Sequence, residues 1–213
     1  MNKRLYLPII LIILSFLLGA VVWNMLPDQI ATHWGASGEA DGYGGKFMGL
    51  FLFPLIGVLM FLMIIFLPKL DPLKKNIEKF IDTFYNFMTS MIAFFVYIQL
   101  ASIIYNFGFK FNFTFVIMPA MALLMYFSGE LMSKAKRNYF IGLRTPWTLS
   151  SDKVWDKSNK FAGKLFKLIA LITIILMFLS EEFMILGFVA LILIAVVISV
   201  VYSYVAFKKE QKL

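Results

Sequence analysis

The sequence predicts an all-α, polytopic membrane protein, and three observations carry that prediction. Of 213 residues, 61% are hydrophobic and 17% aromatic, with a mean hydropathy of +0.84; soluble domains are roughly 45–50% apolar. Six apolar stretches approach the roughly 20 residues that a membrane-crossing helix needs. The polar–apolar alternation of a membrane β-barrel is absent, and a lone segment in lipid satisfies its backbone only as a helix.

The stretches are residues 5–22, 47–67, 84–105, 113–132, 165–179 and 183–207. MNKR before the first could begin a secretory signal. The run is long for a signal core, however, and no A-x-A-like cleavage site follows, so it is expected to be retained. Before the third, Asp71-Pro72 makes a helix start, a capping acceptor followed by proline. Leu73, Ile77, Phe80, Ile81 and Phe84 then oppose Lys74, Lys75, Glu78, Lys79 and Asp82, which predicts an amphipathic beginning to that helix at the membrane surface. Further along, Asn86, Thr89, Ser90, Gln99 and Ser102 are expected to face other helices, and Pro119 to kink the fourth span. The fifth stretch is short and holds Lys167, which can snorkel from a helix end. Glu181-Glu182 reads as a tight turn before the sixth. No repeat or linker divides residues 1–213, so the chain is read as a single membrane domain.

Charge predicts the topology. Of the 20 Lys and Arg residues, all but Lys46 and Lys110 fall at one side of this six-span scheme. The positive-inside rule puts that side, with both termini, in the cytoplasm. The net charge of +8 then reflects this asymmetry and attraction to anionic membrane lipids, and gives no support to direct nucleic-acid binding. With no cysteine, disulfides, iron–sulfur clusters and thiolate zinc sites are excluded. Abundant Lys and Phe with short loops suggest a bacterial plasma membrane.

Two polar islands interrupt the hydrocarbon. The outer one, within residues 24–46, reads PDQIATHWGASGEADGYGGK and contains the only histidine. Its five glycines predict a tightly turned extracellular loop. There Trp34 can anchor the interface and His33 can cap or hydrogen-bond the loop backbone, or the loop can recognise an extracellular ligand. One histidine with Glu39 and Asp41 has no diagnostic metal-ligand spacing, so no metal is assigned. The inner island, within residues 133–164, reads NYFIGLRTPWTLSSDKVWDKSNKFAG. Pro146 biases Thr145 to extended backbone, and Ser150 or Ser151 can cap a following helix. That helix carries Val154, Trp155, Phe161 and Ala162 against Asp152, Lys153, Asp156 and Lys157. It is expected to lie on the inner leaflet as a short amphipathic helix before the fifth span. Arg144 is expected to pair with Glu130, which makes the island either an ordered loop packed under the bundle or a docking and coupling surface.

Together the islands resemble the SdpI family of bacterial integral membrane proteins, the Sdp-type toxin-immunity family. The outer motif LP-x-x-I-x-x-H-[WF] with a G-x-x-D-G turn appears as Leu26-Pro27, Ile30, His33-Trp34, Gly38 and Asp41-Gly42. The inner motif N-x-x-x-G-[IL]-R-T-P-W-T appears as Asn138 and Gly142-Leu143-Arg144-Thr145-Pro146-Trp147-Thr148, followed by Ser150-Ser151 and Trp155. Ala31, Gly35 and Asn159 depart from the pattern, standing where proline, asparagine and histidine are common. The resemblance implies a membrane immunity protein that protects against a secreted antimicrobial peptide toxin. In some members it also implies a receptor that sequesters a cytoplasmic repressor. On this reading Pro27, His33, Trp34, Gly38, Asp41 and Gly42 shape an outer ligand site. Asn138, Gly142, Arg144, Thr145, Pro146, Trp147 and Trp155 shape an inner coupling or partner surface.

Other classes fit less well. The inner face lacks histidine and cysteine, and its carboxylates sit among lysines, so neither an enzyme nor a cofactor is expected. A transporter of small molecules or peptides would place ionisable residues or broken helices near the bilayer centre, where only Gln99 and Pro119 come close. That reading stays open as the alternative, with a membrane receptor unrelated to immunity.

Overall fold

The computed structural model describes residues 3–212. Six long helices run back and forth: α1 (Tyr6–Val22), α2 (Lys46–Leu70), α4 (Ile81–Asn106), α5 (Phe113–Lys134), α7 (Asp152–Leu176) and α8 (Glu181–Gln211). Two single-turn helices, α3 (Lys74–Glu78) and α6 (Pro146–Ser150), sit in connections, and 3-10 turns flank α1 at Lys3–Leu5 and Trp23–Met25. Between α1 and α2 the chain makes an antiparallel hairpin of β1 (Gln29–Trp34) and β2 (Ala40–Gly45). The all-helical expectation therefore holds for the bundle and not for the outer island.

Among the described residues, with flanking turns included, five helices are long and apolar enough to cross a membrane: Lys3–Met25, Lys46–Leu70, Ile81–Asn106, Phe113–Lys134 and Glu181–Gln211. α7 is not among them, because Lys160, Lys164 and Lys167 interrupt its apolar part. The expected surface helix and fifth stretch are one unbroken helix, capped by Ser151, whose Oγ accepts the Val154 N–H. Conversely, the amphipathic start expected for the third helix is a separate turn, α3, broken from α4 around Lys79-Phe80. Glu181 and Glu182 open α8, and the turn itself is the preceding segment, 177–180. Large apolar side chains cover the outer faces of the bundle; Leu59, Leu193 and Val197 are each about 60% exposed, a surface suited to hydrocarbon rather than water.

The helices form two groups. α1, α2 and α4 pack together, α5, α7 and α8 pack together, and the α4–α5 contact joins them. Within the first group Gln99, fully buried on α4, clamps three helices. Its Oε1 accepts the Ser15 hydroxyl at 2.5 Å, and its Nε2 donates to the Ser15 and Leu50 carbonyls at 3.0 and 2.8 Å. Such polar clamps suit helices that gain nothing hydrophobic by leaving lipid for one another. In the second group Gly129 and Gly163 let the α5 and α7 backbones touch; a Cβ on Gly129 would lie 2.5 Å from the Gly163 carbonyl oxygen. Beside them Lys167 reaches Glu130 at 2.5 Å and Lys134 reaches it at 2.6 Å. Glu130 is thus occupied by lysines, not by Arg144.

Candidate functional site

The outer island folds where sequence reasoning saw only turns, because its glycines serve close packing as well as bending. Ile30 and Ala31 of β1 face inward, 2% and 1% exposed, and β2 pairs with β1 from Gln29↔Gly45 to Trp34↔Ala40, with irregularities on either side of His33. His33 stands opposite Gly42, where a Cβ would come within 2.8 Å of the His33 Cβ. At the tip Gly38 takes φ 76°, open to glycine at little cost, and lies so close to the Asn112 side chain that any Cβ would overlap it.

Two asparagines fasten this hairpin to the bundle. Asn106, at the end of α4, grips the buried Ala31 backbone from both sides. Its Oδ1 accepts the Ala31 N–H at 2.8 Å, and its Nδ2 donates to the Ala31 carbonyl at 3.0 Å. Asn112 caps α5 by accepting the Phe115 N–H, and donates to the Ser37 carbonyl at 2.8 Å and to Glu181 at 3.1 Å. One side chain thus joins the hairpin tip, the α5 start and the α8 start. Under the hairpin Trp34 stacks on Phe113 at 3.9 Å and meets Tyr105 edge-on at 5.5 Å. Trp34 thus packs in an aromatic nest.

What stays exposed is compact. His33 Nδ1 lies 2.5 Å from Asp41 Oδ1, with the two side chains 72% and 54% exposed; His33 thus engages a carboxylate rather than the loop backbone. Pro27 is also exposed. At the hairpin base Asp28 meets Lys46 at 2.9 Å, and the hydrogen bond and charge of Lys46 hold its carboxyl below the ordinary range. Beside the tip lies a hollow of about 690 Å³, lined by Ser37, Glu39, Tyr105, Lys110, Asn112 and Glu181 among others. No group of three or more His, Asp or Glu side chains that could hold a metal converges among the described residues.

The opposite end holds the inner island, and most of its motif is internal framework. Asn138 is fully buried; its Oδ1 accepts the Phe140 and Ile141 N–H groups, and its Nδ2 donates to the Lys136 and Ile141 carbonyls. Gly142 sits at φ 105° with Asn159 Oδ1 2.5 Å from where a Cβ would be, and Asn159 accepts the Leu143 N–H at 2.7 Å. Thr145 and Thr148 form a reciprocal cap on α6, and Thr145 Oγ1 meets Ser203 Oγ of α8 at 3.1 Å. Trp155 is fully buried and donates its indole N–H to the Ala135 carbonyl at 2.8 Å. Trp147 is half-buried, its ring edge-on to Tyr204 at 5.1 Å. Arg144 is exposed, donates to the Tyr139 carbonyl at 2.6 Å and makes no pair with Glu130. With Pro146, Tyr139 and Phe140, all exposed, it forms the accessible part of this end.

Three anchoring residues, Asn112, Asn106 and Glu210, escaped the sequence reading, as did the second partner of Asp71, which was expected only to cap a helix start. Asn112 could have been found as a capping residue before an apolar run. Asn106 carries no local signal, since its partner is 75 positions away. Asp71, 2% exposed, accepts the Leu73 and Tyr139 N–H groups and so ties the α2–α3 connection to the inner island. Glu210, near the end of α8, accepts the Ser151 hydroxyl at 2.7 Å.

Comparison with known proteins divides along these two ends. The model of the SdpI/YfhL protein family matches residues 134–203, which hold the inner island, α7 and much of α8. A domain of unknown function, DUF1648, matches residues 10–58, which hold α1, the hairpin and the start of α2. The immunity protein SdpI of Bacillus subtilis (strain 168) is 29% identical over 207 residues, covering 97% of each chain. No solved structure matches. The inner segment is thus similar to the SdpI/YfhL family, and the chain is similar from end to end to an SdpI immunity protein.

Proposed function

We propose that this chain is a multi-pass immunity protein of the bacterial plasma membrane, with the hairpin end receiving a secreted antimicrobial peptide toxin. One observation carries the reading: the hairpin is fastened by Asn106 and Asn112 while His33, Asp41 and the adjoining hollow stay open. A surface held in advance loses less freedom on binding. The name of the Bacillus relative supports the immunity role.

In this proposal α7 also crosses the membrane, as the fifth of six spans, with Lys167 neutralised by Glu130. Both termini and the inner island face the cytoplasm, as the lysine and arginine bias indicates. α8 is tied to Asn112 and the hairpin tip at one end, and to Thr145 and Ser151 at the other. It is the natural element to relate ligand binding outside to the shape of the Arg144 surface inside, where a cytoplasmic repressor would dock. Such coupling requires ligand and partner each to favour one of two arrangements.

The test is survival of a peptide-sensitive Gram-positive strain challenged with Sdp-type toxin, expressing this chain or carrying an empty vector. Membrane abundance is measured in the same cells, with Arg144→Ala alongside. Protection supports immunity; no protection at good expression refutes it for that toxin. Normal abundance with lost signalling in Arg144→Ala assigns Arg144 to the inner surface rather than to folding.

A further inference from the structure

One cleft in the molecule belongs to neither island. It opens between α1, α4 and α5, has a volume of about 790 Å³, and lies where the two helix groups part. α1 packs on α2 and α4, α5 packs chiefly on α7, and α4 is the wall they share. Leu7 and Leu123, each 55% exposed, stand at its mouth, on faces that would meet lipid.

Its chemistry is graded along one axis. At one end are Arg4 and Asn86, joined at 3.0 Å, with Asp82 3.2 Å from the Arg4 Nε. This end is therefore polar and hydrogen-bonding, with the Arg4–Asp82 pair beside the Asn86 amide. Thr89 and Ser90 follow one turn further along α4. Beyond them the walls are hydrocarbon, with Leu11, Phe94 and Leu124 among them, and small Ala93 and Ala120 leave the space open. Near the far end the Tyr97 hydroxyl donates to the Val116 carbonyl at 2.8 Å, bridging α4 and α5.

The length matches one leaflet. From Asn86 to Tyr97 the helix climbs about 16 Å at about 1.5 Å per residue, and half of a roughly 30 Å hydrocarbon core is about 15 Å. A polar rim that carries the Arg4–Asp82 pair, about one leaflet of apolar wall, and a far end bridged by Tyr97 fit a particular kind of amphiphile. We infer that this cleft is a phospholipid site: one acyl chain lies along Ala93 and Ala120, and the headgroup sits at the Arg4 and Asn86 rim. The lipid fills the gap between the two helix groups, where annular lipid would not be held. This inference does not depend on the immunity reading, because it concerns a different face and a different ligand.

The test is native mass spectrometry of the full chain purified in mild detergent, with phosphatidylglycerol and phosphatidylethanolamine as added probes. The parent is expected to keep one phospholipid per chain after extensive washing. Ala93→Phe and Ala120→Phe, which fill the cleft, are expected to lower occupancy by about tenfold or more, a change of about 1.4 kcal/mol per decade. Leu193→Phe, on the lipid-facing side of α8, should leave it unchanged. A parent that washes free of phospholipid, or filled variants that retain it like the parent, would overturn the site. If the phenylalanine variants do not accumulate, Ala93→Cys decides, as the only thiol in a chain without native cysteine. An attached fluorophore should be quenched by phospholipid with brominated chains more strongly than one on Leu193→Cys; equal quenching would refute a held lipid.

Discussion

Replacing Asn106 by alanine is expected to release the hairpin while the helical bundle stays folded. The side chain satisfies both the N–H and the carbonyl of Ala31, a residue only 1% exposed, and donates to its own helix at the Ser102 carbonyl. Truncation leaves the two Ala31 groups without partners. A buried polar group left unpaired costs about 1–3 kcal/mol, so the two together cost about 2–6 kcal/mol for as long as the hairpin stays seated. The hairpin can avoid most of that by lifting off α4 into water. The loss should therefore appear as local opening, with amides of β1 and β2 exchanging faster by orders of magnitude. Hydrogen exchange read by mass spectrometry, on parent and variant in the same detergent, resolves this. Accelerated exchange confined to residues 29–45 agrees with the argument. Unchanged hairpin protection would refute it, and equal acceleration throughout α4 and α2 would show that Asn106 holds the bundle rather than the hairpin.

Other outcomes follow from the same contacts. Trp155→Ala removes a fully buried ring and its bond to Ala135 and should cost about 3–5 kcal/mol, seen as a large fall in melting temperature and membrane abundance. Gly163→Ala pushes a methyl against Ser133 and the Gly129 carbonyl; overpacking of this kind costs about 1–3 kcal/mol, and a melting temperature equal to the parent's would contradict the close α5–α7 contact. Lys46 lowers the Asp28 carboxyl from its ordinary 3.8, so their pairing contributes stability above that value and loses it as pH falls through the lowered one. Melts of parent and Asp28→Asn should thus differ slightly at neutral pH and converge as pH falls below the lowered value.

The sequence carried the bundle well because lipid imposes a strong, local rule: long apolar runs must be helices. It misjudged places where distant residues decide. Five glycines in 20 residues look like a tightly turned loop, yet Gly42 admits close approach to His33 within a paired hairpin, and the hairpin is set by Asn106, 75 positions from Ala31. α7 misled in the opposite way: its charged first half looked like a separate surface helix, but nothing between Asp152 and Leu176 stops a helix. The expected Arg144–Glu130 pair failed because Lys134, one turn along the same helix, and Lys167 are nearer. At the inner island the motif residues were legible, but the division between buried framework (Asn138, Thr145, Trp155) and accessible surface (Arg144, Pro146) was not, since burial depends on distant elements: Trp155 packs in one cluster with Ile64, Ile77 and Phe84, and Thr145 meets Ser203 of α8.

The most direct test of the account is toxin binding to the purified chain at the hairpin, comparing the parent with His33→Ala and Asp41→Ala, which leave the Asn106 and Asn112 anchors intact. The account predicts binding by the parent and affinities weaker by about tenfold or more in both variants, with helical content and melting temperature close to the parent's. Parent-like binding by both variants would contradict the claim that the exposed His33–Asp41 face receives the peptide.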